Sequence, residues 1–231
     1  MNLEYFQEQI ENEREWREGE ISFLNNIQES LQKEEDRERI RRSILCIIYA
    51  HIEGFVRFIF FLYIEQINNE KLTCSQVRPA IAAAAFYNEF RSLRDKNKKD
   101  KFFKNKLPDE GHLHGLSREI EFIENIGQFY NHPVSIPDDF VSTGGNVGRE
   151  VIEKLLFQVG LEYQSLKDIY APLNKLLRTR NKIVHGVNSA GIQDKDYKEF
   201  IECSRQVISS ISHRIIKAYI KKEFLLHESS T

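Results

Sequence analysis

The residues best suited to chemistry lie in one short segment, R-N-K-I-V-H-G at residues 180–186. This segment contains Arg180 and, five positions later, His185. A histidine can accept or release a proton near neutral pH, and an arginine can hold a phosphate through parallel hydrogen bonds. A proton-transfer group and a phosphate-binding cation are together the minimum needed to cleave an RNA strand without a metal ion.

Arg180 has an unusual position in the helix that the sequence predicts over about Tyr163 to His185. At about 100° per residue, the apolar side chains of this helix fall on one side, and Arg180 lies near the middle of their arc. Those side chains are Leu166, Ile169, Leu173, Leu176, Leu177, Ile183 and Val184. A charge on a core-facing stripe is costly unless it is paired or placed at an interface. We therefore expect Arg180 to lie at an interface or beside a partner.

His185 is predicted at the end of the same helix. Asn181 and His185 are four residues apart, so they share a face at the edge of the apolar arc and can hydrogen-bond. Gly186 suits the left-handed conformation in which helices commonly end, which places His185 at a helix terminus rather than deep in a bundle. Because an arginine and a histidine at this spacing are common by chance, the prediction depends on the conjunction of all four residues.

Glu53 is a second charge in an unusual place. It lies in the helix predicted from about Glu35 to Asn68, on a face lined by apolar or weakly polar residues spaced by threes and fours. A carboxylate there needs a cation or hydrogen-bond donors. Arg57, four residues later, offers a local partner; the alternative is that Glu53 reaches Arg180 or His185 across the bundle. A carboxylate bonded to a histidine raises the pKa of the imidazole and sets its orientation.

The elements that must position these residues are predicted to be helices throughout. The chain has 231 residues, 41% of them hydrophobic, with five prolines and few alternating β-branched runs, so we expect an all-α protein. It is predicted to form a single domain over residues 1–231, with a core at about 35–224 and an N-terminal helical extension at 1–34. Besides the two helices above, the predicted helices are about Leu3–Gln32, Ser75–Lys96, Ser117–Phe129, Val147–Val159 and Asp194–Phe224. Ser117 and Asn146 are expected N-caps, and Pro172 an expected kink or break.

Charge is distributed unevenly along a chain whose net charge is −2. Residues 94–106 hold 7 basic and 2 acidic side chains, and residues 171–222 hold 11 basic and 4 acidic ones. A local basic face is sufficient to attract phosphates. The candidate RNA contacts in these segments are Arg178, Lys182, Lys98, Lys99 and Lys101. The alternative is an ordinary solvated loop and a helix with lysine at its ends.

Other kinds of site lack their required residues. The segment 142–146, S-T-G-G-N, has no lysine of the kind that a phosphate-binding loop needs. His112 and His114 have no supporting cysteine or histidine cluster, so we expect no metal site and no cofactor. Three cysteines, an odd and widely spaced set, give no disulfide framework and favour a reduced compartment.

The first residues carry no basic and apolar segments of a signal peptide, so we expect a cytoplasmic protein. The most hydrophobic stretch, residues 43–67, contains His51, Glu53, Arg57 and Glu65. That pattern favours a buried helix over a membrane span.

Three segments resemble the HEPN superfamily. R-N-K-I-V-H-G is similar to its Arg-x(4–6)-His signature, in the form with Asn after Arg that its ribonucleases favour. The segments Y-A-H-I-E-G-F-V-R (49–57) and S-T-G-G-N-V-G-R-E-V-I-E-K-L-L-F-Q-V-G-L (142–161) resemble a branch close to the RiboL-PSP and MAE-type proteins. The resemblance covers about residues 40–222.

This resemblance implies a helical bundle, here with an extra N-terminal helix and inserted loops and helices, that dimerises so that two Arg/His motifs share one cleft. Arg180 and His185 would be the catalytic pair, with Asn181 as polar support. Such proteins cut RNA without metal, giving a 2′,3′-cyclic phosphate and a 5′-hydroxyl, and many are toxins or anti-phage effectors held in check by an antitoxin.

Two alternatives stay open at this point. Other members of the superfamily have lost catalysis and bind RNA or a partner protein. The chain could also be an unrelated helical bundle in which Arg180 pairs with Glu53 inside the core.

Overall fold

The protein is described by a computed structural model that covers residues 3–187 and 190–226. Within these ranges it contains eight α-helices and no strand, which confirms the all-α class. The helices are α1 (Leu3–Ser30), α2 (Glu34–Asn69), α3 (Pro79–Ala85), α4 (Tyr87–Arg94), α5 (Gly111–Asn125), α6 (Arg149–Gln158), α7 (Lys167–Val184) and α8 (Asp194–Ile220). Three single 3₁₀ turns lie at Cys74–Gln76, Ile126–Gln128 and Asp138–Phe140.

The helices with a long periodic pattern were predicted best, and the short ones were not. The predicted helix over Ser75–Lys96 is wrong: the chain forms a 3₁₀ turn and then α3 and α4, which meet at Phe86. The predicted cap at Ser117 is also wrong, because α5 begins at Gly111 and the Ser117 hydroxyl donates to Asp100 instead (2.7 Å). Pro172 lies inside α7 without ending it.

The described residues group into two compact units. The first lies within Met1–Tyr63, Val141–Phe157 and Leu161–Glu223, and the second within Ile64–Phe140, Gln158–Gly160 and Phe224–Thr231. The single domain over residues 1–231, with its core at 35–224, stays a prediction. Arg180, His185 and Glu53 all belong to the first unit.

The first unit is organised around the central part of α2, which is buried nearly all round. Helices α7 and α8 pack along each other, and α1 packs on α8 through the rings of Phe6 and Tyr219, whose centres are 4.6 Å apart. Fully burying an Ile, Leu or Phe side chain stabilises a fold by about 1.5–3 kcal/mol. The residues that contribute this burial include Ile48, Ile52, Phe55, Val56, Leu173, Leu176, Ile208, Ile211 and Ile215.

Polar groups also join α1 to α2. The buried Arg17 side chain lies over the Trp16 ring at 4.3 Å, and a Cβ added at Gly54 would lie 3.3 Å from its guanidinium. His51 Nε2 lies 2.7 Å from a Glu20 carboxylate oxygen. Burial lowers the pKa of His51, and the Glu20 carboxylate opposes that shift. The N-terminal helix is therefore fitted to α2 rather than loosely attached.

A second buried arginine joins three helices of the same unit. Arg41, which is only 3% exposed, donates from Nε to Gln28 (2.9 Å), from Nη1 to Glu34 (2.7 Å) and from Nη2 to Asp194 (3.2 Å). These partners belong to the end of α1 and the starts of α2 and α8. The guanidinium also lies 5.6 Å from the centre of the Tyr197 ring. Its charge is thus fully compensated by groups that the fold itself supplies.

In the part of the chain that the structure describes, α2 is the one helix long and apolar enough to cross a membrane, judged by length and composition alone. Its most apolar window has a mean hydropathy of 1.8, and 56% of that window is buried inside the protein. A central core helix meets the same test, and the burial favours the core position that the sequence predicted for residues 43–67.

Candidate active site

The end of α7 carries Arg180, whose side chain is half-buried against α2. Its guanidinium carbon lies 4.8 Å from the centre of the Tyr49 ring, within the range of a cation–π contact. Nη1 donates to the side-chain oxygen of Asn181 at 3.0 Å. Asn181, the predicted supporting residue, therefore contacts Arg180 directly.

His185 ends α7 and is exposed. The N–H of Gly186 donates to the carbonyl of Ile183 (3.1 Å) and that of Val187 to the carbonyl of Lys182 (2.9 Å). Gly186 adopts the left-handed conformation (φ +68°) that the sequence predicts for it. These paired bonds are the usual way in which a glycine ends a helix. They fix the backbone of His185 at the helix terminus and leave its ring facing solvent.

Glu53 contacts none of the three cations that the sequence analysis gave as its candidate partners. Within residues 3–187 and 190–226, the Glu53 carboxylate forms no ion pair, at an N···O distance of 4.0 Å or less, with Arg57, Arg180 or His185. Its carboxylate instead accepts a hydrogen bond from the Thr143 hydroxyl at 3.2 Å. A direct contact of Glu53 with Arg180 or His185, one of the alternatives that the sequence left open, is therefore not formed among the described residues, and the Thr143 hydroxyl of a short loop contacts the carboxylate instead.

Tyr49 lies beside both charges, one turn of α2 before Glu53. Its side chain is completely buried, and its hydroxyl donates to the carbonyl of Val147 (3.3 Å). Burial, with a contribution from the nearby Glu53 carboxylate, raises the pKa of Tyr49 to about 12, while Arg180 opposes the shift. Tyr49 therefore stays protonated at neutral pH, and its ring serves as a neutral platform under the Arg180 guanidinium.

The loop over residues 141–148 joins α2 to α7 at this place. A Cβ added at Gly148 would lie 2.9 Å from the side-chain oxygen of Asn174 and 3.1 Å from Leu177, both on α7, so the approach requires a glycine. The same oxygen of Asn174 accepts a hydrogen bond from the N–H of Arg149 (3.2 Å) at the start of α6. Asn174 thus performs the capping that the sequence predicts for Asn146.

Cys46 completes the face of α2 that looks toward Arg180. Burial raises the pKa of the Cys46 thiol, and the positive charges of Arg180 and Arg42 oppose that shift. Cys46, Tyr49 and Glu53 follow the three- and four-residue spacing of one helix face. That spacing was visible in the sequence, but it did not identify Tyr49 as a neighbour of Arg180, and nothing local indicated the contact between Glu53 and Thr143.

The predicted RNA contacts lie in both units. Arg178 and Lys182 are exposed on α7, and Arg178 Nε donates to the carbonyl of Asn174 (3.2 Å). Lys98, Lys99 and Lys101 are exposed in the second unit. The amine of Lys98 donates to the Ser92 hydroxyl (2.6 Å) and lies 3.2 Å from the Glu121 carboxylate.

Titratable side chains do not assemble into a metal site in the described ranges, where no group of three or more His, Cys, Asp or Glu residues is placed to hold an ion. His114 is fully engaged inside the second unit. Its Nδ1 accepts from the N–H of Asp100 (3.1 Å), which leaves Nε2 as the donor to the carbonyl of Leu107 (3.0 Å). With both ring nitrogens used, His114 has no lone pair left for a metal.

The arrangement at the end of α7 can therefore offer a positive charge and an exposed imidazole.

A family model described as RiboL-PSP-HEPN matches residues 12–217 of the chain. No curated protein and no solved structure matches the chain significantly.

Proposed function

The chain belongs to the RiboL-PSP-HEPN family, and we propose that it is a metal-independent endoribonuclease that uses Arg180 and His185. The observation that carries the proposal is the number of Arg180 N–H donors that have no partner within the described residues. A guanidinium has five N–H donors, and within the described residues the one hydrogen-bond partner of this group is Asn181. The remaining donors are available to a phosphate, while the Tyr49 ring supports the group from below.

The proposed reaction is an in-line attack of a ribose 2′-hydroxyl on the adjacent phosphate. A base removes the hydroxyl proton, an acid protonates the leaving 5′-oxygen, and a cation stabilises the negative charge of the phosphorane. The products are a 2′,3′-cyclic phosphate and a 5′-hydroxyl. His185 is exposed at the helix end, where it can reach such a substrate, and Arg180 provides the cation.

A single His185 cannot be the unprotonated base and the protonated acid in the same step. A symmetric homodimer supplies two histidines and two arginines to one cleft, and each histidine can take one role. We therefore propose that the catalytic unit is a homodimer in which the α7 ends of two chains face each other. Such an interface would also enclose the half-buried Arg180.

The first test is cleavage of a structured RNA in the presence of EDTA. We expect His185→Ala to lower the rate by at least about 100-fold, the usual contribution of a positioned acid or base. His213→Ala is the matched control, since His213 is an exposed histidine on α8 away from the motif. Undiminished cleavage by His185→Ala would rule out the assigned site.

The homodimer has its own test. Excess His185→Ala protein is mixed with the wild type under conditions that allow subunits to exchange, and cleavage per wild-type chain is measured. Because mixed dimers hold one histidine, we expect the rate to fall as the variant is added. A constant rate would show that one chain acts alone.

A toxin or anti-phage role in the cytoplasm, with a protein antitoxin as partner, is part of the same proposal. Induction of the wild-type chain should arrest growth, and the His185→Ala chain should not. Arrest by both proteins to the same extent would separate toxicity from cleavage.

One observation favours the alternative, a catalytically inactive HEPN module that binds RNA or a partner protein. No carboxylate in the described residues is bonded to the His185 ring, so no acidic side chain of that part of the chain orients the imidazole. This alternative predicts RNA binding without cleavage, and identical growth of cells that express the wild type and His185→Ala.

A further inference from the structure

The second unit contains an open pocket that has no part in the proposed chemistry. It lies between α4, α5 and the turn at residues 126–132, and its volume is about 440 Å³. Pockets of this size are typical for small organic ligands and cofactors.

One wall of the pocket is a cluster of aromatic rings. Phe86 is buried, and its ring centre lies 4.4 Å from that of Phe129 and 4.7 Å from that of His132. Phe122 meets Phe129 nearly edge-on at 4.8 Å. Phe122, Phe129 and His132 remain only half-buried, and all of them border the pocket. Half-exposed flat rings of this kind are the surfaces on which unpaired bases stack.

Polar side chains on the rim carry donors and acceptors. Asn125 Nδ2 donates to the carbonyl of Glu121 (2.7 Å), which leaves its oxygen free as an acceptor. The Gln128 amide is exposed and has no hydrogen-bond partner within the part of the chain that the structure describes. Side-chain amides of this type match the donor and acceptor pattern of a base edge.

A cation stands at the same rim. Lys98 borders the pocket, and its amine is held by Ser92 and by an exposed ion pair with Glu121. Exposed ion pairs contribute little free energy, so this amine can turn from Glu121 to a phosphate, provided that the basic segment outweighs the repulsion from the Glu121 and Glu89 carboxylates that also line the pocket. Lys98 belongs to the segment 94–106, in which basic side chains outnumber acidic ones by 7 to 2.

The wall that carries Lys98 is fixed by another arginine. Arg118 on α5 donates from Nη1 to the carbonyls of Lys98 (2.6 Å) and His114 (3.0 Å), and from Nε to that of Leu93 (3.2 Å). These bonds hold the start of the lysine-rich segment against α5. The lysine is thereby kept next to the aromatic wall.

We propose that this pocket binds one nucleotide. Its base stacks on the Phe122 ring and meets the Phe129 ring at an edge, the Gln128 and Asn125 amides contact the base edge, and Lys98 binds the phosphate. The nucleotide is either an unpaired residue of an RNA strand or a free mononucleotide. In its RNA form the inference rests on the proposed function, because the strand held here would be the one that the α7 motif cuts.

The test uses full-length His185→Ala protein, so that cleavage does not interfere. Binding of a short 5′-fluorescein oligoadenylate is measured by fluorescence anisotropy, and binding of AMP by calorimetry. We expect Phe122→Leu, which removes the ring but keeps an apolar side chain, to weaken binding by at least about fivefold. Phe102→Leu is the matched control, since Phe102 is 63% exposed in the same basic segment but does not border the pocket.

Gln128→Ala is a second variant that leaves the aromatic cluster intact, and thermal unfolding checks that each variant is folded. Weaker oligoadenylate binding alone identifies RNA as the source, and weaker AMP binding identifies the free nucleotide. The proposal is overturned if the parent binds neither probe, or if Phe122→Leu and Gln128→Ala bind both probes as the parent does. If the wild type fails to cleave RNA while Phe122→Leu still weakens binding, the proposed function is wrong, but the proposal that the pocket binds a nucleotide is supported.

Discussion

Two arginines in the first unit differ in the burial of their side chains and in the number of their hydrogen-bond partners. Arg41, at the junction of α1, α2 and α8, is 3% exposed and donates to Gln28, Glu34 and Asp194. Arg180, at the junction of α2 and α7, is half-buried and has one hydrogen-bond partner in the described residues, Asn181. Both guanidinium groups lie against a tyrosine ring.

The difference separates a charge that the fold uses from a charge that is available to bind an anion. Removing a buried arginine whose donors are used by the fold leaves a cavity and an unsatisfied buried acceptor, and is therefore costly. A guanidinium with free donors at an accessible helix end contributes little to the fold and can bind an anion. We therefore expect Arg41 to serve the stability of the fold and Arg180 to be available to a phosphate, as the proposed function requires.

The largest expected effect is on Arg41. Arg41→Ala should lower the free energy of unfolding by about 2–5 kcal/mol, because the loss of a long buried side chain leaves a cavity and the buried oxygen of Gln28 loses its donor. Chemical denaturation monitored by circular dichroism measures this. Arg39→Ala is the control, because that side chain is 75% exposed and pairs loosely with Asp36 at 3.8 Å. Equal effects of the two substitutions would remove the contrast on which the comparison depends.

A smaller loss is expected where the loop meets α7. Gly148→Ala places a Cβ against Asn174 and Leu177 and should cost about 1–3 kcal/mol through overpacking. Gly19→Ala on α1 meets nothing within 4 Å and should stabilise the helix slightly. The same denaturation experiment tests both. A harmless Gly148→Ala would mean that this loop does not fix the Arg180 site.

The smallest expected effect concerns the platform under Arg180. Tyr49→Leu removes the ring and should lower the rate constant for RNA cleavage about tenfold, the order of one partly desolvated cation–π contact. Tyr49→Phe keeps the ring and should retain the rate. If both substitutions lower kcat equally, the hydroxyl bond to Val147 matters and the ring does not. A change confined to KM would place Tyr49 in binding rather than in positioning.

The sequence predicted those parts of this site that depend on local structure. The C-terminal end of α7, the left-handed Gly186 and the terminal His185 follow from helical periodicity and from the conformational freedom of glycine, whereas the start of α7 at Lys167 lies four residues after the predicted Tyr163. The inward position of Arg180 follows from the same periodicity.

Contacts between distant segments were beyond sequence reasoning. Glu53 was expected beside Arg57, Arg180 or His185, but its partner Thr143 is 90 residues away in the chain. Arg41 lies in the charged start of α2, where the residue pattern is that of a solvated helix, and its partner Asp194 is 153 residues away. Such pairings depend on how the helices pack, which periodicity alone does not determine.

The claim that Arg180 serves the substrate rather than the fold is tested most directly with the Arg180→Ala protein. Its RNA cleavage in EDTA and its free energy of unfolding are measured on the same preparation. Arg205→Ala, an exposed arginine on α8, is the control. We expect cleavage to fall by about 100-fold or more, as when a group that stabilises transition-state charge is removed, with a loss of stability of at most about 2 kcal/mol from the cation–π contact with Tyr49. Unchanged cleavage together with a loss of several kcal/mol would show that Arg180 is a structural charge like Arg41, and would contradict the account.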